Sequence, residues 1–474
     1  MDAAKRRSSI AKDNSYTELN HALTMTTVVQ RVKEADIQLI RFQWIGNDLI
    51  QRALVTTAAH LESHLETGIG VTKGMQSFNV LDQTVREGSF GPESSEFRLV
   101  PDPETYAPVP YAPGSARLIA ELFDLDLKPS PTDGRYALRR VVAQANDLGF
   151  TPYASLEPEY YLLSLSGGKP SQFIHERFGT SHSYDLLSDY LRELTASLSG
   201  MNVSVERIKK EYGGSQIEPT VRYAHALKAA DDFVTLRDVA KGVSAKRGLI
   251  ASFMPKPFAD SSGSGLHLHL SLFNSDGSGN AFFDSRDPKG LGMSRLAHHF
   301  VGGVLKHINS LAVFAAPTTN SYKRLRPGVW ATSHIFWGFD NRAAAVRIPS
   351  SAKGHEAEEK RIEFRLGDPS ANPYLYLAAT LAAGLDGVRN NVEPPEPLGI
   401  DPSKESDSKL EELGVNPLPA TLGEAIKHAE SDPWLREALG EQLVGEYLKM
   451  RRSEWRSFCE HVCEWETANY IDAF

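Results

Sequence analysis

The chain is poor in cysteine: Cys459 and Cys463 are the only two in 474 residues, which excludes a disulfide framework and fits a reducing compartment. It has no run of about 18 apolar residues, so no membrane-spanning helix is expected. The opening stretch, MDAAKRRSSIAKDNSYTELN, holds no apolar segment that could act as a secretory signal. These absences predict a cytoplasmic protein. A basic excess is missing as well: 51 Lys and Arg stand against 60 Asp and Glu, a net charge of −9, which argues against a nucleic-acid-binding surface. A local arginine cluster facing a small phosphate-bearing molecule remains compatible with that total. Internal repeats and low-complexity blocks are also absent. What remains is an ordinary globular composition, 41% hydrophobic and 23% charged. The length suits about two to four domains of roughly 100–200 residues each.

Residues 1–24 are polar, carry a basic cluster and predict a flexible tail. From Val28 to Leu127 short β-like runs (Ile37–Trp44, Leu49–Val55, Ala116–Phe123) are broken by Gly, Pro and Asp. The segment 86–114, rich in Gly, Pro, Ser and Glu, reads as a long functional loop. KPSPTDGR at 128–135 is a Pro-rich connector and the expected domain boundary, giving domains over 25–128 and 129–474. Beyond it, amphipathic spacing predicts helices at 135–148, 184–198, 220–240, 294–313, 373–390 and 434–468. Strand-like runs lie at 151–165, 265–273 and 343–349. Strands and helices that do not alternate strictly point to an α+β domain over a largely antiparallel sheet.

Several strands carry paired ionisable groups. EPEYY puts Glu157 and Glu159 two residues apart, on one face of the expected strand. Such a pair among apolar residues is costly unless a cation resolves the repulsion, and carboxylate oxygens suit Mg2+ or Mn2+. Glu211 and Glu218 bracket the glycine-containing stretch EYGGSQIE, and taken alone are compatible with a solvated loop. HLH places His267 and His269 on one strand face directly after SSGSG at 261–265, where glycines permit close backbone approach to a ligand. RIEFR sets Glu363 between Arg361 and Arg365 on a common face, a pattern that structural ion pairs also produce. Lys323, Arg324, Arg326, Arg342, Arg347 and Arg365 crowd a short span of an acidic chain. Arginine's planar fork suits carboxylate and phosphate.

In this order, VPDPET, EPEYYLL, the two glutamates at 211 and 218, MPKPFADSSGSGLHLHLSL, NSYKRLRPG, DNRAAAVRIP and RIEFRLGDPSANPYLYLAA resemble the signatures of the glutamine synthetase family, from about residue 28 to the C-terminus. The resemblance implies an N-terminal β-grasp domain and a C-terminal α+β catalytic domain. It further implies stacked rings of identical subunits, a dodecamer, with active sites between protomers. It casts Glu159, Glu211 and Glu218 as ligands of one divalent metal, and Glu157, His267 and Glu363 as ligands of a second, with two or three ions per site. His269, Ser271 and Arg347 fall at nucleotide positions. Arg324, Gly263 and Ser262 fall at the glutamate position, and Arg342, Arg347 and Arg365 at the transferring phosphoryl group. The implied reaction phosphorylates the γ-carboxylate of L-glutamate with ATP and joins the resulting acyl phosphate to an amine.

The chain departs from the family after the Pro327–Gly328 turn. Members that use ammonia read P-G-x-E-A-P, whereas this chain reads PGVWAT, with Trp330 at the glutamate's position. Tryptophan accepts no proton and offers instead a flat surface for an alkyl or aryl group. The competing reading packs Trp330 with Phe336, Trp337 and Phe339. Asp82, in LDQTVREG, falls at the position of a possible general base for the amine. Lys210 replaces a histidine, Ser262 replaces an asparagine, and the span 394–420 contains no tyrosine for the adenylylation seen in some bacterial members. These changes resemble the γ-glutamylamide ligase branch and an apolar monoamine such as an aniline. Authentic glutamine synthetase and a catalytically silent regulatory homologue stand as alternatives. Cys459 and Cys463, four apart on the expected C-terminal helix, read as core-packing residues; of His298, His299 and His334 only His334 is placed where it could meet an amine, and the reading without a role in the site is preferred for it.

Overall fold

The computed structural model describes residues 25–474 except residue 329, so the expected tail at 1–24 lies outside the described residues. After a helix at 25–34, the first sheet contains β1 (Leu39–Ile45), β2 (Gln51–Thr57), β3 (Ile69–Thr72), β4 (Glu96–Pro101), β5 (Ala107–Pro108) and β6 (Ser115–Phe123), in the order β2-β1-β6-β4-β3 with β5 on β6. β1 and β2 form an antiparallel pair, while β1 and β6 run parallel at the centre. Period-2 burial turns Ile40, Phe42, Leu99, Leu118 and Leu122 onto Leu61 and Leu65 of the helix Leu61–Thr67, closing a core of its own. A helix gripped by a sheet with a central parallel pair is the β-grasp arrangement. The expected loop at 86–114 is not a loop throughout. EFRLVP buries alternate residues as β4, and its period was masked by flanking Gly, Ser and Pro.

The connector ends in a helix cap. Asp133 accepts hydrogen bonds from the Tyr136 N–H, at the start of the helix Gly134–Asp147, and from the Leu122 N–H of β6. The next residue but one, Arg135, is buried and bonded to Asp102 (2.9 Å) and Glu121 (2.6 Å) of the first sheet region. It also reaches Asp231 (2.8 Å) of the helix Ala226–Ala245. One guanidinium therefore joins the two halves of the chain. Removing it would leave Asp231 without its guanidinium partner and Asp102 and Glu121 with Arg139 as their remaining ion-pair partner.

The larger half holds β7 (Phe150–Pro158), β8 (Tyr160–Ser166), β9 (Lys169–Gln172), β10 (Val205–Lys210), β11 (Gln216–Val221), β12 (Ala224–His225), β13 (Ile250–Ser252), β14 (Leu266–Asn274), β15 (Trp337–Phe339), β16 (Val346–Ile348) and β17 (Ile362–Phe364). They form two sheets, β10-β11-β8-β13 with β9 on β8, and β12-β7-β14-β17-β16-β15. All their pairings are antiparallel except β15–β16. Behind them the helices Arg295–Ala315 and Pro373–Asn390 cross so closely that a Cβ on Gly303 would lie 2.6 Å from the Gly387 backbone nitrogen. No helix among the described residues is long and apolar enough to cross a membrane.

Three expectations change. The single strand expected at 151–165 breaks at Glu159, where the chain leaves one sheet for the other. The helix expected from 220 starts at Ala226, because β11 and β12 occupy the preceding residues. The helix expected at 434–468 divides into Pro433–Leu439, Glu441–Glu460 and Glu464–Tyr470, with Gly440 at φ 103 between the first two. Cys459 and Cys463 therefore share no continuous helix face. Both are exposed, and Cys463 caps the last helix, so the core-packing reading is wrong.

Candidate active site

The strand register assembles the charged groups. Glu157 on β7 pairs with His267 on β14, His269 pairs with Glu363 on β17, and Glu363 pairs with Arg347 on β16. Positions on four adjacent strands thus converge from distant parts of the sequence. Glu159, at the switch between sheets, has partners different from those of Glu157. Its carboxylate accepts from the Gly265 N–H (3.0 Å) and the Gln216 side-chain amide (3.1 Å). Glu157 instead lies 3.3 Å from His269 Nε2, and Arg361 donates to the Nδ1 of the same ring at 3.1 Å.

Ligand-type atoms of Glu159, Glu218 and His267 all lie within 4.8 Å of one another. His267 Nδ1 is also 3.7 Å from Glu363, so this ring stands between the two expected ligand sets. Burial and the nearby Arg365 hold His267 well below the usual histidine range, in the neutral form that can bind a metal. Burial and the neighbouring Glu211 push Glu159 up to about 7, and Glu218 is raised well above the carboxylate range by burial and Glu159. Lys209 sits across the remaining charge, 2.7 Å from Glu211 and 2.8 Å from Glu218. Burial opposes its ammonium, yet Glu218 and Glu211 outweigh that and raise its pKa. A protein cation already lodged between two carboxylates, in a set of three of which Glu159 and Glu218 ionise reluctantly, marks a donor set that fits a divalent metal.

The other carboxylates are compensated by the chain itself. Glu363 is bonded to both Arg365 and Arg347, the latter at 2.7 Å. Against burial, Arg365 and the two histidines hold it well below the carboxylate range. Glu157 is likewise held low, against burial, by His269. Arg347 also binds Asp340 at 2.8 Å. Arg365 donates to the Arg342 carbonyl at 3.0 Å, whereas the Arg342 side chain is exposed.

Arg324 is buried and spends two donors on the carbonyls of Leu366 (3.1 Å) and Arg365 (3.3 Å). The loop Gly263–Gly265 lies against it. A Cβ on Gly263 would come within 2.8 Å of the Arg324 side chain. One on Gly265 would come within 2.9 Å of both Arg324 Nη2 and His267 Nε2. The Ser262 carbonyl accepts from the Tyr161 hydroxyl at 2.7 Å. On β14 beyond His269, Ser271 pairs with Tyr153, whose ring meets His225 at 4.4 Å and Phe273 at 4.9 Å. That aromatic group at the expected nucleotide end was missed in the sequence, because its members sit on separate strands.

Trp330 does not pack with Phe336 and Trp337, which are fully buried elsewhere. It is 71% exposed, 6.1 Å from the ring of Tyr212. Tyr212 in turn stacks on Phe178 at 4.5 Å. Neither Tyr212 nor Phe178 carries any sequence signal of a site, apart from the position of Tyr212 beside Glu211. His334, on the same loop as Trp330, is half-buried, its backbone bridged to Pro417 and its Nδ1 2.9 Å from the Ser333 hydroxyl. Asp82 lies on the first sheet's surface, 2.6 Å from Arg52. Among the described residues none of its hydrogen bonds or ion pairs reaches the carboxylate cluster. A cavity of 1220 Å³ opens between Asp48–Gln51, Arg237, Lys241 and Phe458, but it includes none of the candidate ligands, so volume does not mark this site.

Carboxylates, a neutral histidine and buried arginines thus meet at the junction of two sheets, a donor set suited to a divalent cation and to anionic groups beside it. The chain belongs to the glutamine synthetase family: the glutamine synthetase N-terminal domain matches residues 23–134 and its catalytic domain matches residues 131–470. Members are ATP-dependent enzymes that form carbon–nitrogen bonds, using divalent metal ions, glutamate and a nitrogen donor. The glutamine synthetase of Thermotoga maritima is 37% identical over 95% of this chain and 100% of its own length. That of Mycolicibacterium smegmatis is 35% identical over 94% and 98%. Among solved structures, a GmaS/ADP complex superposes with a TM-score of 0.83 at 28% identity, covering 94% of this chain and 99% of that one. A novel glutamine synthase homologue reaches 0.80 at 29% identity, covering 92% and 99%.

Proposed function

We propose that this enzyme joins the γ-carboxylate of L-glutamate to an organic amine with an apolar alkyl or aryl body, rather than to ammonia. The observation that carries the reading is Trp330: ammonia-using members have a carboxylate at its position, and here an exposed indole faces Tyr212 instead. In this reading the free donors of Arg324 grip the glutamate α-carboxylate beside the Gly263 backbone. A γ-carboxylate oxygen attacks the terminal phosphorus of ATP, an O–P bond forms, and the bridging bond to the leaving ADP breaks. Arg347 and Arg365, already set by Glu363, face the transferring group, and His269 and Ser271 hold the nucleotide end. Glu159, Glu211 and Glu218 would hold one Mg2+ or Mn2+, and Glu157, His267 and Glu363 a second. Bound there, these ions would screen the charge that carboxylate and triphosphate both bring. The amine lone pair then attacks the acyl carbon, the C–N bond forms, phosphate leaves with the C–O electrons, and the nitrogen sheds a proton.

We also place the domain boundary at 128–129 and the protein in the cytoplasm. We assign it a ring assembly, a dodecamer of stacked rings, in which Asp82 would enter the site of a neighbouring protomer. That placement accounts for its exposed carboxylate, distant in contacts from its own cluster. Glutamine formation from ammonia is the second reading, favoured by the names of the relatives. A silent regulatory role is opposed by the intact set of carboxylates and arginines. Phosphate release with ATP, Mg2+ and glutamate across an amine panel decides. Release as fast with ammonium as with any organic amine overturns the proposal.

A further inference from the structure

We infer that Phe178, Tyr212 and Trp330 form an aromatic wall, set in place by the buried Lys210, that receives the ring of an aromatic amine; this deepens, and rests on, the glutamate–amine ligase reading. The three rings come from three separate segments. Phe178 and Tyr212 are stacked, centroids 4.5 Å apart and planes inclined by 19°. Trp330 continues the surface 6.1 Å from Tyr212 at 52°. All three remain exposed, at 44%, 55% and 71%, so nothing in this chain covers them. Exposed rings that order themselves against one another, next to a carboxylate of the reaction centre, form a recognition surface rather than a core.

The wall is built into the fold. Lys210 is wholly buried, and its ammonium donates to the carbonyls of Glu211 (2.6 Å), Gly213 (2.6 Å) and Glu176 (3.2 Å). Two of these carbonyls flank Tyr212, and the third lies two residues before Phe178. The Lys210 carbonyl accepts in addition from the Gly179 N–H, the residue after Phe178. One side chain therefore fastens both stacked rings in relative register. The turn after Tyr212 lies flat on Tyr161: a Cβ on Gly213 would sit 2.0 Å from the Tyr161 hydroxyl oxygen. That hydroxyl also bonds Ser261 (2.9 Å) and the Ser262 carbonyl (2.7 Å), in the loop that places Gly263 against Arg324. The wall and the glutamate-binding loop share one anchor.

The geometry favours a flat ligand over a compact cation. A cage for an alkylammonium ion needs ring faces turned to a common point. Here Phe178 and Tyr212 each spend a face on the other, and the Tyr212–Trp330 gap is too narrow to hold a further group between them. The open faces instead form a continuous apolar surface on which an aromatic ring extends the stack. An arylamine is also largely uncharged near neutral pH, so it needs no carboxylate at position 330 to remove a proton before attack.

The test uses the full chain with ATP, Mg2+ and glutamate, comparing aniline, methylamine and hydroxylamine. The expected result is a higher kcat/KM for aniline than for methylamine. Phe178→Ala and Tyr212→Ala each lower the aniline-to-hydroxylamine ratio of kcat/KM by about tenfold, mainly through KM for aniline. Both residues are exposed, so thermal melts of the variants verify the fold. Lys210→Met shifts the ratio in the same direction, which a purely structural role would not do. Methylamine preferred over aniline, or a ratio unmoved in both ring variants, overturns the inference. Hydroxamate formation separates the two levels: hydroxamate without aniline preference overturns this inference alone, and no hydroxamate overturns the ligase reading with it.

Discussion

The carboxylate cluster and the aromatic wall adjoin at Glu211 and Tyr212 yet are built by opposite means. The cluster is buried and strand-borne, and its neighbours are dictated by register: Glu157 against His267, Glu363 against Arg347. The wall is exposed and loop-borne, held by one buried lysine and by ring stacking. Chemistry common to a family needs fixed charges in a poorly solvated place, whereas selection of one nitrogen donor can be rewritten on loops without disturbing them.

The largest effect expected is on the cluster. In the proposed mechanism Arg324→Ala removes the grip on glutamate, and Glu218→Gln removes a carboxylate of the metal set. Each should lower kcat/KM by about 10²–10³-fold with every amine alike, measured by phosphate release. A loss confined to one amine would break the division between activation and selection.

The pH response comes next. Glu159 has its folded pKa raised to about 7 from an ordinary value near 4.5. Its contribution to metal-free stability is therefore full below about pH 4.5 and is lost as pH rises through 7. Metal-free protein should melt at a lower Tm at pH 8 than at pH 6. Because a ligand carboxylate must be ionised, Mg2+ should bind more tightly across the same interval and release protons. Isothermal titration in buffers of different ionisation enthalpy reads both. An affinity flat in pH would show that Glu159 does not ligate.

On the wall, Trp330→Glu should raise ammonia use relative to aniline by about tenfold or more and leave glutamate KM little changed, since the substitution restores a carboxylate where ammonia-using members carry one. The smallest effect belongs to Cys459→Ser, at an exposed thiol outside both regions: stability should stay within about 0.5 kcal/mol, with no change in amine preference.

Much of the cluster could be read in the chain. HLH, RIEFR and the glutamates at 211 and 218 have the right chemistry and, on strands, the right period. At the EPE motif the strand expectation was incomplete, because alternation assumes an unbroken strand. A sheet switch at Glu159 depends on which distant strand each half pairs with, β14 or β11. The wall was legible only at Trp330. Phe178 and Tyr212 are ordinary loop aromatics until Lys210 folds their segments together. The Cys459–Cys463 spacing failed for a local reason, since the helix ends at Glu460.

The sequence by itself determined the class of reaction and the ligand types. Carboxylates, histidines and arginines in ordered motifs carry their chemistry wherever they are placed, and strand periodicity is a local property of the chain. Only the tertiary structure decided which carboxylates are satisfied by protein cations and which ionise reluctantly, and that the indole at position 330 stands exposed beside two stacked rings. Desolvation, ion pairing and ring stacking are set by contacts between residues far apart in the chain, and no local pattern encodes them.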